Sequence, residues 1–157
     1  MRIVLARHGH AEPKKGWVGA DGDRPLVARG QRQAQTLLKV VGRPRPTLIV
    51  SSPAARCRQS VEPMGRELGL TPTLSPSLAT DAGLSAVQLI HDLAGGSGPS
   101  TVVLCTHREV LTVVLPHLAS DSGRKLGHRL PGAKGGVWVL DYRGGRLRSI
   151  EYRPPAA

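Results

Sequence analysis

Three short apolar runs, each ending at a cluster of reactive side chains, constrain this chain more than any other feature. Ile3-Val4-Leu5-Ala6, Thr47-Leu48-Ile49-Val50 and Thr101-Val102-Val103-Leu104-Cys105 are unbroken and too short for helices. They read as strands buried on both faces. The segments between them carry a different period. From Val27 to about Val41, the apolar residues Ala34, Leu37, Leu38 and Val41 recur at helical spacing, and Gly42 then Pro44 stop the helix. Ser52 is placed to cap a second helix, with Pro53 at its first position and Gly69 just past its end at Leu68. Residues 71–83, rich in Pro and Ser, predict a short strand and a loop. A helix from Leu84 to Leu93 then runs into a flexible Gly95-Gly96-Ser97-Gly98 connection. Glu109 to Leu118 predicts a fourth helix, which Pro116 should kink or end early. Val137-Trp138-Val139-Leu140 and Leu147 to Tyr152 flank Arg143-Gly144-Gly145, a hairpin signal.

Strands alternating with helices predict an α/β fold: a three-layer α/β/α sandwich around a mostly parallel sheet. No internal repeat or long linker divides residues 1–157, so one domain is expected. In such sheets ligands bind beyond the carboxyl ends of the strands. Arg7-His8-Gly9, Ser51 to Arg56 and Thr106-His107 all fall there. Their coincidence is the main functional clue.

Composition narrows the class. With 39% apolar and 21% charged residues in 157, the chain matches ordinary globular proteins and not disordered or fibrous ones. No apolar run approaches the roughly 18–20 residues that cross a bilayer. The four-residue run starting at Ile3 is too short for the apolar region of a signal peptide, so a cytoplasmic location is expected and no membrane partner. Lys and Arg number 22 against 11 Asp and Glu, a net charge of +11, which favours anionic partners. The cations are scattered, however, and with no Phe, two Trp and two Tyr there is little for bases to stack on. The lack of Phe and Asn beside abundant Arg, Ala, Gly and Pro matches a GC-rich coding bias. The charge therefore carries little functional weight, and specific nucleic-acid binding is not expected. Cys57 and Cys105 are isolated, outside any CxxC pair, and Cys105 reads as a buried core thiol.

The clusters suit phosphoryl chemistry. An imidazole such as His8 can attack phosphorus, a guanidinium such as Arg7 can hold two phosphate oxygens in a fork, and Gly9 lets the backbone approach a ligand. Arg56, with the N-terminal dipole of its helix, can address the same anion, and His107 ends the strongest strand. Arg24, Lys14, Lys15 and Arg108 are candidates for the entrance, as substrate-binding residues together with Gly9. His8 and His10 form a His-x-His pair, which can chelate a metal but lacks a carboxylate or Cys partner nearby, so no metal site is expected. His91, His117 and His128 are unassigned.

Taken in order, Leu5-Ala6-Arg7-His8-Gly9, Arg24-Pro25-Leu26 with Arg29-Gly30-Gln31, Ser51 through Ser60, and Cys105-Thr106-His107 resemble the histidine phosphatase (phosphoglycerate mutase-like) superfamily. The size and Asp23-Arg24-Pro25-Leu26 look most like its small SixA-type branch. Arg56 through Pro63 and Lys134 through Leu140 are similar to the phosphatase-like C-terminal domain of bacterial MutT-type Nudix hydrolases, although no Nudix box is present. The resemblance implies His8 as nucleophile, with Arg7, Arg56 and His107 stabilising the transferring phosphoryl, and water as acceptor with no metal or cofactor. The implied partners are a phosphorylated protein or a small phosphorylated metabolite, with a Nudix-type hydrolase as a possible companion. Where larger members carry a glutamate as general acid, this chain has Leu78-Ala79-Thr80-Asp81, making Asp81 the candidate acid. A solvated loop beside arginines favours a low carboxyl pKa. That favours phosphohistidine or phosphoanhydride substrates, whose leaving groups need less protonation. The rival from another class is a phosphate-recognising module without turnover. Retention of Arg7, His8, Arg56 and His107 together argues against it.

Overall fold

The computed structural model of the chain describes residues 1–97 and 100–156; Gly98, in the expected flexible connection, lies outside them. Six strands form one sheet: β1 (Arg2–Arg7), β2 (Leu48–Ser51), β3 (Thr73–Leu74), β4 (Thr101–Thr106), β5 (Val137–Arg143) and β6 (Arg146–Arg153). Their order is β3-β2-β4-β1-β5-β6. β3, β2, β4 and β1 run parallel, and the β5–β6 hairpin joins β1 antiparallel, so the sheet is mixed and mostly parallel.

Strand alternation sorts the core into two layers. From β1, Ile3 and Leu5 face α3 (Gly83–Ala94) and α4 (Arg108–Ser122), meeting Ile90, Leu111 and Leu115. Val4 and Ala6 face the other way, toward α1 (Ala28–Val41) and α2 (Ala55–Leu68), meeting Leu37, Val41 and Val61. β4 divides likewise, Val102 and Leu104 to one side, Val103 and Cys105 to the other. Helices thus cover both faces, as the uninterrupted apolar runs require.

Some boundaries differ from the sequence reading. α2 starts at Ala55, not Pro53, and Ser52 is not its cap residue. The Ser52 hydroxyl is engaged by His107 and only bends back to the Ala54 amide, 3.3 Å away. Arg56 consequently sits in the first turn of α2. Pro116 neither ends nor shortens α4, which runs on to Ser122 and closes at a left-handed Gly123. One lost backbone bond is outweighed because Leu118 and Ala119, beyond the proline, continue the buried face of Val110, Leu111, Val114 and Leu115. The segment after α2 yields a two-residue β3 and a 3₁₀ turn at Pro76–Leu78. The hairpin turn falls at Gly144 and Gly145, both at positive φ (58° and 75°), the conformation that glycine adopts without strain.

Candidate active site

β1, β2 and β4 end side by side, and their carboxyl ends bring the three clusters together. Ala6 pairs with Cys105 and Arg7 with Thr106, while Ser51 also pairs with Cys105. His8 continues β1, its amide donating to the Thr106 carbonyl at 3.2 Å. His107 continues β4 and immediately precedes α4. The two imidazoles meet edge to face, centroids 5.4 Å apart, and are 9% and 1% exposed.

A hydrogen bond sets the tautomer of His8. Its Nδ1 lies 2.8 Å from the Gly9 carbonyl, which can only accept, so Nδ1 carries the proton and Nε2 keeps the lone pair. Burial pushes the pKa of His8 down to about 3, against the Gly9 bond, with the positive charges of His107, Arg56 and Arg7 acting the same way. At neutral pH the ring is an uncharged nitrogen base.

His107 is held from β2 and α2. Ser52 Oγ is 2.7 Å and Cys57 Sγ 3.5 Å from its Nε2. Neither contact was anticipated from sequence, since both cross some fifty residues of chain. Burial alone would raise the Cys57 thiol, but hydrogen bonds with Cys105 and His107 and the charges of His107 and Arg56 draw it below its ordinary range.

The arginines are anchored but not saturated. Arg56, 2% exposed, donates from Nη1 to the Asp21 carbonyl and from Nη2 to its carboxylate, both at 3.0 Å. Arg24 grips the other Asp21 oxygen at 2.9 Å. Burial would raise the Asp21 carboxyl, yet Arg24 and Arg56 hold it below the usual carboxylate range. Arg7 donates from Nη1 to the Gly132 carbonyl at 2.6 Å. Its pKa is lowered by burial and by Arg108, partly offset by Glu109. Among the described residues, Nε of Arg7 and Nε of Arg56 are buried without any partner. Two orphaned guanidinium donors beside a histidine pair call for an acceptor-rich ligand.

Arg7, His8 and Arg56 line a cleft of about 480 Å³ with Lys14, Arg24, Arg108 and Lys134 around it, and His107, 1% exposed, lies behind that lining against His8. Three carboxylates, Glu12, Asp21 and Glu109, also face it. Lys134, whose pKa is lowered by burial and then by Arg7, Arg24 and Arg29, was missed as a site residue because it lies in the loop before β5. Only the chain crossing to β1, where Gly135 donates to the Arg7 and His8 carbonyls, brings it there.

Three expectations change. Gly9 does not face the cleft: its amide donates to Ser60 Oγ at 3.0 Å, and a Cβ there would press on Gln33 and the Gly30 backbone. Its smallness serves the packing of α1, where Gly30 in turn lies so close to the His10 backbone that any side chain would collide with it. Thr80 reaches the cleft lining, whereas Asp81 is exposed and is not among the residues that form it. Lys15 likewise lies outside the lining. His10 bonds Gln33 Oε1 through its amide at 2.9 Å and its Nδ1 at 3.1 Å, so this side of His10 is held by the scaffold.

The profile of the histidine phosphatase superfamily (branch 1) matches residues 3–83. The chain belongs to this superfamily. The SixA protein of Agrobacterium tumefaciens superposes with a TM-score of 0.76 at 26% identity, covering 98% of this chain and 97% of that one. The protein histidine phosphatase SixA in complex with tungstate gives 0.77 at 20% identity over 99% and 97%, a likeness of fold. The 8-oxo-(d)GTP phosphatase of Mycolicibacterium smegmatis is 28% identical over 98% of this chain. The chain spans 48% of that relative's length. Family and relatives together support a phosphatase, and no described helix is long and apolar enough to cross a membrane.

Proposed function

We propose that the chain is a metal-independent phosphatase working through a phosphohistidine on His8. The lone pair of His8 Nε2 attacks phosphorus, and the bond to the leaving group breaks with its electrons going to that group. Water then attacks the phosphorus of the intermediate, the P–N bond breaks back onto Nε2, and inorganic phosphate departs. Arg7, Arg56 and His107 hold the equatorial oxygens, where charge is spread in the transition state. The observation that carries this reading is the pair of buried, unpartnered Nε–H groups on Arg7 and Arg56 beside a buried neutral imidazole.

The substrate is a phosphohistidine protein or a small phosphoanhydride, acted on in the cytoplasm. Arg24, Lys14, Arg108 and Lys134 attract its remaining anionic groups, and Asp21, the carboxylate paired with Arg56, is held ionised by two guanidiniums and is no proton donor. Such a site handles leaving groups that need little protonation. Phosphate release from phosphohistidine peptide, ADP and a sugar phosphate tests this, alongside Asp81→Asn. The first two should turn over well, the alkyl ester poorly, and Asp81→Asn should leave all three nearly unchanged against the roughly 10²-fold loss expected for a working acid. A large loss confined to the sugar phosphate makes Asp81 the acid and shifts the substrate to monoesters.

The half-length match to the mycolicibacterial relative favours one second reading, a phosphate-recognising domain that works beside a Nudix-type hydrolase. Phosphate binding without turnover on every substrate of the panel would support it.

A further inference from the structure

α4 starts at the cleft with Arg108 and leads away from it. At 1.5 Å per residue its far end lies about 20 Å along the helix axis. There His117 and Asp121, four residues apart, share one helix face, with Nε2 and Oδ2 3.2 Å apart. α3 packs alongside, and its last turn carries His91. One donor atom from each of His91, His117 and Asp121 lies within 4.8 Å of the other two. The mechanism uses none of them.

We propose that His91, His117 and Asp121 bind a divalent transition ion of the zinc class and clip α3 to α4. Two imidazole nitrogens and one carboxylate oxygen are the donor set that Zn²⁺ takes in three-ligand sites, with water in the fourth position. Calcium and magnesium, which want six or more oxygens, find too few here. Tetrahedral bonds of about 2.1 Å need donor atoms roughly 3.4 Å apart. The His117–Asp121 pair already meets that spacing, and His91 has to swing inward by little more than an ångström. His117 and Asp121 side chains are 42% and 57% exposed, so nothing locks them out of the adjustment. A hollow of about 410 Å³ lined by His91 and Asp121 leaves room for the ion's water. Arg124, Arg146 and Arg148 share that hollow and repel a cation, which places the site below a four-ligand structural zinc in affinity.

The test is a Zn²⁺ titration of the chelator-stripped protein, by calorimetry and by competition with a chromophoric chelator, with thermal unfolding as a second readout. One equivalent should bind to the native protein and raise Tm. His91→Ala and His117→Ala should each weaken binding by more than about tenfold, the loss that removal of even an outer-shell partner can cause, and abolish the rise in Tm. His8→Gln and His10→Ala should bind as the native protein does, separating this site from the cleft. Cobalt should give the visible spectrum of a nitrogen- and oxygen-ligated ion. Absence of saturable binding, or equal binding by the His91 and His117 variants, overturns the proposal.

Discussion

At the floor of the cleft and just behind it, His8, Arg56 and His107 are 9%, 2% and 1% exposed, and each hangs from a strand end or a first helical turn. At its rim, Lys14, Arg108 and Glu109 are exposed, and Lys134 is partly so. The floor is set by hydrogen bonds that cross the sheet, Ser52 to His107 and His8 to Thr106. The rim depends on loops tied by fewer bonds, chiefly Asp21 between Arg24 and Arg56 and Gln33 Nε2 on the Lys134 carbonyl. A rigid, desolvated floor suits the transferring phosphoryl, whose charge must be met without reorganisation. A solvated rim suits recognition of the remainder of a substrate, where electrostatic attraction is weaker and more forgiving.

The contrast is sharpest in how each region should respond to change. Arg56→Lys replaces a planar fork with a point charge at the floor, and kcat/KM should fall by at least about 10²-fold while the fold persists. Steady-state kinetics with circular dichroism checks this, and near-native activity would mean that Arg56 does not touch the phosphoryl.

Acid should act on the floor next. His8 has a folded pKa of about 3 against an ordinary 6.5. Between those values the unfolded chain takes up a proton that the folded chain refuses, so stability rises with pH there. The contribution of His8 is therefore intact above about pH 6.5 and is lost progressively as pH falls toward 3. Urea unfolding across that window should show native protein losing stability faster than His8→Gln. Equal slopes would place an ordinary, solvated histidine at residue 8.

The rim should answer more gently. Asp21 occupies the Arg56 fork where a phosphate oxygen would compete, and its side chain is 43% exposed. Asp21→Asn should tighten inhibition by phosphate or vanadate several-fold and reduce the maximal rate little. Weaker inhibition would instead make Asp21 a support that keeps Arg56 in place.

Floor and rim also differed in how far the sequence revealed them. The convergence of Arg7, His8, Arg56 and His107 was legible because apolar runs mark strands, and adjacent parallel strands bring the residues beyond their carboxyl ends to one place. The alternation of Ile3 and Leu5 with Val4 and Ala6 between two helical layers was equally accessible. Ser52 and Cys57 were not: local pattern offered a helix cap and an isolated thiol, and only the adjacency of β2 to β4 turns both toward His107. Lys134 and Glu109 join the cleft through loop and helix placement that no period encodes. That α4 continues past Pro116 was hidden for the same reason, since tertiary burial on either side of it decides whether a helix survives.

In the proposed mechanism everything turns on covalent phosphorylation of His8 Nε2. Protein mixed with a radiolabelled phosphoryl donor from the substrate panel, then quenched in base and in acid, tests it most directly. A base-stable, acid-labile label should appear on His8, formed at a rate no slower than turnover. His8→Ala, folded by circular dichroism, should lose both the label and phosphate release. Undiminished phosphate release by that variant, or a label on another residue, would contradict it.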